Sequence, residues 1–351
     1  MSTSTTTLLD EWHALRAAEP QIRARDAAEW LGVSEGKLLD ARRETGDVAR
    51  LAPRGAGFAT LIEGISGVGR IMTLTRNDAA VHETHGRMGE VSISNVIGQV
   101  TGQIDLRLFL SRWTVAYAVE EEVRSGLRRS IEVFDAAGTA VLKVYAVDGT
   151  DPGAWSELTK GLLDPDGGPT SFAASRPPAP DRPDAEIDVE ALRRGWLALE
   201  HSHDFHALLH RNCAGRLQAL RLVGEDLARP VAEGAVQALL DGAAASGLPI
   251  MCFVGNPGCI QIHSGPVQTI KPLGPWLNIL DPEFNLHLRT DRIASVWRVV
   301  KPTASRGRIT SIELFDAQGT MACQFFGQRA AGQPERPEWS RLVATAAETA
   351  S

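Results

Sequence analysis

The chain is written twice, and this limits what it can fold into more than any other feature. The stretch "IEVFDAAGTAV" (Ile131–Val141) returns as "IELFDAQGTMA" (Ile312–Ala322), 181 positions later. "TRNDAAVHETHG", ending at Gly86, runs alongside "VGNPGCIQIHSG", ending at Gly265, so that Asn77 falls on Asn256. "IDLRLFLSRWTVAYAV" (Ile104–Val119) runs alongside "FNLHLRTDRIASVWRV" (Phe284–Val299). Three segments in the same order at nearly one offset mark a tandem duplication, one structural unit made to fold twice.

Each copy opens on helices and closes on strands. "TTTLLDEWHALRAAEPQIRARDAAEWLGVSEGKLLDARR" predicts a helix ending before Pro20, then two short helices broken at "LGVS". The second copy answers with "DVEALRRGWLALEHSHDFHALLHRN" and "RLQALRLVGEDLARPV". The β-rich runs around "DAAG" and "DAQG" read as hairpins. The expected fold is α+β in tandem, each half a few helices plus a large, mainly antiparallel sheet. The proline-rich "DPDGGPTSFAASRPPAPDRPDAE" (Asp164–Glu186) separates the copies. It sets a first repeat at 1–165, a partly extended linker at 166–188 and a second repeat at 189–351.

Composition removes several classes of function. With 43% hydrophobic and 23% charged residues the chain reads as globular. It contains no run of about 18 apolar residues, the length a spanning helix needs. The start, "MSTSTTTLLDEWHALR", lacks the basic-then-apolar order of a leader, so no membrane insertion and a cytoplasmic location are expected. "RARDAAEWLGVSEGKLLDAR" has helix-turn-helix residue types at Ala28, Gly32 and Leu38, as any two packed short helices do. Asp26, Glu29, Glu35 and Asp40 put acid where phosphate would lie, and the net charge is -7, so no nucleic-acid partner is expected. "GISGVG" (Gly64–Gly69) precedes its strand, whereas a dinucleotide-binding turn follows one. Cys213, Cys252, Cys259 and Cys323 show no Cys-x-x-Cys spacing and are expected to be free thiols, mostly buried.

The chemistry gathers at "HSHDFHALLH" (His201–His210), which holds four of the nine histidines. At about 100° per residue, Phe205, Leu208 and Leu209 fall on one side of a helix, and His203, His206 and His210 on the other. Ser202 is the expected cap, with Asp204 in the first turn. Three readings stay open on these residues alone. The first is a solvated polar face. The second is a zinc site at His203, His206 and His210, which lacks a fourth ligand and matches no zinc spacing. The third is haem, held by a single imidazole, with cations for two propionates and an apolar pocket. Phe253 in "LPIMCFVG", Lys301 in "WRVVKPT" and Arg329 in "FFGQR" offer those parts, although each taken alone is an ordinary residue. His82 and His85 in "VHETHG" leave a secondary site open beside the plainer reading of a strand end or loop without a ligand.

The phrases "SHDFHALLHR", "GNPGCIQIHSG", "GQIDLRLFLSRW", "VVKPT" and "FGQRAAGQPE" together give the chain a resemblance. In order, and over nearly its whole length, it resembles the haem-utilisation proteins of the HemS/HmuS type, the haemin-degrading factors or haemin transport proteins. The resemblance implies haem in the cleft between the halves, with His203 as axial iron ligand and Arg107, from "DLRLF", on the distal face. It implies Lys301 and Arg329 near the propionates, Phe253 on the pocket wall, and no other metal. It also implies either of two roles: breakdown of imported haem with electrons from an external reductant, or carriage of haem from an importer to a separate haem oxygenase. The chain departs from the family's pattern at "LLHRNCAG" and at Phe325-Phe326, where some relatives carry a tyrosine. In the alignment of the copies, Arg107 falls on His287 and no histidine of the first copy falls on His203, which favours one asymmetric site over two equal ones.

Overall fold

The computed structural model describes residues 7–53, 57–175, 179–305, 307–330 and 333–349. The first repeat runs α1 (Leu8–Ala18), α2 (Ala24–Trp30), α3 (Glu35–Ala41), β1 (Val48–Leu51), α4 (Phe58–Ser66), β2 (Gly69–Arg76), β3 (Ala80–Gly86), β4 (Met88–Ser94), β5 (Ile97–Gly102), β6 (Asp105–Phe109), β7 (Val115–Val123), β8 (Gly126–Phe134), β9 (Ala140–Thr150) and α5 (Pro152–Gly161). The second runs α6 (Val189–Leu197), α7 (Asp204–Arg211), α8 (Arg216–Leu222), β10 (Ala228–Val231), α9 (Gly234–Ser246), β11 (Ile250–Asn256), β12 (Cys259–Gly265), β13 (Ile270–Leu273), β14 (Trp276–Leu280) and β15 (Phe284–Arg289). It closes with β16 (Ser295–Thr303), β17 (Gly307–Phe315), β18 (Met321–Gly327) and α10 (Pro337–Thr349). The fold is α+β, duplicated, as the sequence led us to expect. Among the described residues no helix is long and apolar enough to cross a membrane.

Local chemistry sets the element ends. Thr7 and Asp10 form a capping box on α1, each side chain accepting from the other's backbone N–H at 3.2 and 3.0 Å. Asp188 caps α6 by accepting from Ala191 N at 2.8 Å. The twin hairpins turn by twin devices. Asp135 accepts from Ala137 N and Thr139 N at 2.9 and 2.8 Å, and Asp316 from Gln318 N and Thr320 N at 2.9 and 2.7 Å. Gly138 and Gly319 follow at φ +79° and +77°, the left-handed region that a side chain would strain.

The residues fall into two compact units. One comprises Met1–Arg76, Glu83–Arg176 and Asn256–Gln261; the other Asn77–His82, Pro177–Gly255 and Ile262–Ser351. Within the first, strands run in the order β1-β7-β8-β9-β2, with β4-β5-β6 as a separate meander; within the second the orders are β10-β16-β17-β18-β11 and β13-β14-β15. Neighbours pair antiparallel throughout, as in β8–β9 and β17–β18. One face of each five-strand set is a core face. In the first unit Ile131, Val133, Leu142 and Val144 pack with Ile62 and Ile65 of α4. In the second Ile312, Leu314 and Phe325 pack with Leu239 of α9 and Trp339 of α10. The opposite face meets the leading helices: Leu39 of α3 covers Tyr117 and Phe134, while α6, α7 and α8 cover Trp297, Val299 and Phe315.

Each unit therefore takes a short segment from the other repeat, and an asparagine heads each segment. Asn77 Oδ1 accepts from Ala79 N and Ala80 N at 3.0 and 2.9 Å, while its Nδ2 donates to Gly255 O and Ala322 O at 3.0 and 2.8 Å. Asn256 repeats the pattern, accepting from Gly258 N and Cys259 N, both at 3.0 Å, and donating to Arg76 O and Val141 O at 3.1 and 2.9 Å. All four bonding positions of each amide are used. Asn77→Ala and Asn256→Ala are each expected to destabilise the chain by about 2–4 kcal/mol, because half-buried N–H and C=O groups lose their partners. Urea denaturation would read the loss, and a change under about 0.5 kcal/mol would mean that water replaces the amide.

The proline-rich stretch is strapped down at both ends. Thr170 N donates to Asp40 Oδ2 at 2.9 Å, Arg43 donates to Gly168 O at 3.1 Å, and Phe172 packs against the Tyr117 cluster. Further on, Gln218 donates to Asp184 Oδ1 at 2.8 Å. Backbone laid against a folded surface must find hydrogen-bond partners, and these side chains supply them.

Candidate functional site

The histidine helix is α7. Phe205, Leu208 and Leu209 are buried, while His203, His206 and His210 are exposed, as their periodicity requires. The cap differs from expectation. His203, not Ser202, is the residue before the first helical turn, and Asp204 does the bonding by accepting from His201 N at 2.9 Å. His201 itself bonds Ser305 Oγ at 2.9 Å. Among the described residues no three His, Cys, Asp or Glu side chains stand in a metal-holding group, so His203, His206 and His210 do not converge as a zinc site.

Three contacts fix α7 on its unit. Gly195 of α6 admits Leu208, whose Cδ1 lies 2.4 Å from where a Cβ would stand. Trp196 meets Phe205 edge-on at 4.5 Å and donates its indole N–H to Val300 O at 2.9 Å. Two cations overlie the Phe205 ring, Lys301 Nζ at 4.5 Å and Arg216 Cζ at 5.1 Å. Both converge on Glu313: Arg216 binds it bidentately at 2.8 Å per bond, Lys301 donates at 2.9 Å and Ser311 at 3.0 Å. Burial alone would raise the Glu313 carboxyl, but the charges of Arg216 and Lys301 outweigh it and hold the carboxyl well below the carboxylate range. Burial pulls the Lys301 ammonium below its usual value, and Glu313 only partly restores it.

Lys301 is 3% exposed and ion-paired to Glu313, because α7 and α8 cover its strand.

The register sets Phe253 opposite Gln324, Gln324 opposite Glu313 and Glu313 opposite Trp297, so all four share the sheet face that carries α7. Phe326 joins them, its ring 5.3 Å from Phe253 and edge-on. Arg329 follows β18 and is half-buried. In the second unit Phe253, Lys301, Glu313 and Phe326 share one sheet face, on which α7 packs through Phe205 and which Arg216 reaches from α8; Arg216, Glu313 and Phe326 were not singled out as site residues from the sequence. A signal for Glu313 existed, since Ser-x-Glu recurs at Ser130-Glu132 and Ser311-Glu313.

Arg107 belongs to the first unit. On β6, Leu106 and Leu108 point into the core, and Asp105 and Arg107 to the other face. Asp105 accepts from Arg107 Nη1, which also donates to Leu106 O at 3.1 Å. Burial raises the Asp105 carboxyl against the pull of Arg107. His82 lies in β3, fully buried and edge-on to Phe284 at 4.8 Å, while His263 stacks on Phe284 at 3.8 Å. Burial lowers both imidazoles, His263 to about 4, which keeps them neutral in ordinary buffers. His85, also on β3, is half-buried.

Fold and site define a class: a duplicated α+β protein with an exposed imidazole at the start of a helix that packs on a sheet face. Residues 32–162 and 213–346 each match the family described as the Haemin-degrading HemS.ChuX domain. The chain belongs to that family. It is 37% identical to the hemin transport protein HmuS of Yersinia pestis over 342 residues, 96% of each chain. Its fold matches holo-PhuS, a heme-binding protein from Pseudomonas aeruginosa, with a TM-score of 0.91 at 47% identity, covering 96% of this chain and 97% of that one. It matches ChuS, the heme degrading enzyme of Escherichia coli O157:H7, with a TM-score of 0.89 at 35% identity, covering 96% and 98%.

Proposed function

We propose that the chain binds haem through His203 and opens the macrocycle to release its iron. The observation that carries this reading is the exposed imidazole of His203 at the start of α7, on a helix anchored through Phe205. A rigid support of this kind lets one neutral imidazole meet a metal without reorganising. Phe253 and Phe326 offer apolar wall to a flat ring, and Arg329 offers a guanidinium to a carboxylate. Haem is the substrate, and its iron supplies the redox chemistry. Arg107 donates hydrogen bonds to the reacting oxygen, oriented by Asp105. Electrons come from an external reductant. ChuS, a heme degrading enzyme, is the relative that favours this role.

The relatives' names also motivate a second reading, a carrier that receives haem from an importer and passes it to a separate haem oxygenase, since HmuS is a hemin transport protein. One experiment separates the two. Haemin is titrated into the parent chain and His203→Ala, read by the Soret band, and reductant is then added in air with catalase present. A band saturating at one equivalent and weakened at least tenfold in the variant is expected. Its decay supports breakdown, and its persistence supports the carrier. A titration indifferent to His203 overturns both.

A further inference from the structure

The face of the second unit's sheet turned away from α7 carries a cluster of arginines. The β10–β16 register sets Arg229 directly opposite Arg298. Two alternations further along β16, Pro302 stands opposite Arg308 of β17, so all three arginines lie on the face that α9 and α10 cover. Like charges opposed across neighbouring strands are destabilising. Among the described residues none of the three enters a hydrogen bond or an ion pair, and Arg229 Nε is buried without a partner. Burial, Arg308 and Arg229 together lower the Arg298 guanidinium, and Glu335 only partly restores it. Glu335 is itself engaged: Thr310 N donates to its Oε2 and Ser340 Oγ to its Oε1, both at 2.5 Å.

The first repeat shows that the fold does not need these charges. Its β1–β7 register sets Ala49 opposite Ala118 where the second repeat has Arg229 and Arg298, and the 181-position offset sets Leu127 against Arg308. The same strand frame is built once with apolar side chains and once with three cations. Three guanidiniums against one carboxylate leave a local charge of about +2, which one hydrogen phosphate dianion balances. A phosphoryl group also offers the pairs of oxygens that a guanidinium fork binds bidentately. We infer that Arg229, Arg298 and Arg308 form a binding site for a phosphate dianion. Two sources share this chemistry, inorganic phosphate and the phosphate group of a small monoester. The site is independent of the haem reading, because α7 packs on the other face of the sheet.

The test is a calorimetric titration of inorganic phosphate into the full chain at constant ionic strength, with sodium chloride as the comparison. Saturation at one equivalent is expected. Arg229→Ala and Arg298→Ala, which give these positions the side chain that the first repeat carries there, are each expected to weaken binding about tenfold or more. Neither should lower the urea midpoint in phosphate-free buffer, because each removes a repulsion, so lost binding is distinguished from lost folding. Adenosine 5′-monophosphate in competition then identifies the source: the tighter of the two is the occupant. Heat no greater than with chloride, or equal affinity in the parent chain and the double variant Arg229→Ala with Arg298→Ala, overturns the inference.

Discussion

Arg107→Ala is expected to slow reductant-dependent haem breakdown by about 10²–10³-fold while shifting haemin affinity only a few-fold. A donor fixed in place before charge develops on the reacting oxygen stabilises the transition state far more than the bound ground state. The geometry behind the expectation is local. Asp105 accepts from Arg107 Nη1, and Leu106 O accepts from the same nitrogen at 3.1 Å, so the guanidinium is oriented by its own strand. Asp105→Asn keeps an acceptor but loses the charge, so a smaller slowing, about tenfold, is expected. Single-turnover decay of the haem spectrum measures both, and Arg107→Lys is the control for charge without the planar fork. A rate unchanged in Arg107→Ala removes the residue from the reaction.

Glu313→Ala is expected to cost about 3–5 kcal/mol of stability, the effect of leaving buried cations without their anion. Lys301→Met is expected to cost less, about 1–2 kcal/mol, because Arg216 keeps both of its bonds to Glu313. The double variant Glu313→Leu with Lys301→Met is expected to recover part of the loss, since Arg216 reaches solvent. The pH dependence has a definite sign. The folded-state carboxyl of Glu313 lies below its unfolded value, so its contribution is complete above the ordinary carboxylate range and is lost as pH falls through that range and below. Lys301 acts in the same direction at the basic end: burial holds its ammonium below the usual value, so stability rises as it loses its proton. Urea midpoints from pH 7 down to 3 would show the acid limb, and Glu313→Ala should flatten it. Because Lys301 and Arg216 both hold Phe205, these variants should also broaden the His203-dependent Soret band.

Much of this was legible in the chain. The duplication announced two similar α+β units. The 3.6-residue period separated Phe205, Leu208 and Leu209 from the three histidines, and the Asp-x-x-Gly turns marked twin hairpins. These signals are local or repetitive, carried by residues a few positions apart or by a copy of the same text. The choice of His203 over His206 and His210 was not legible in this way, because all three share one exposed face; family resemblance made that choice.

The sequence alone determined the repeat, the helix faces, the turns and the candidate ligand helix. Tertiary structure decided what lies beneath that helix. Lys301 is an ordinary strand lysine until α7 and α8 cover it, and Glu313 is an ordinary hairpin glutamate until Arg216 arrives 97 positions away in sequence. Periodicity states which way a side chain points along its own element. Whether it then meets solvent, a partner charge or empty space depends on elements distant in the chain, whose positions are set by packing.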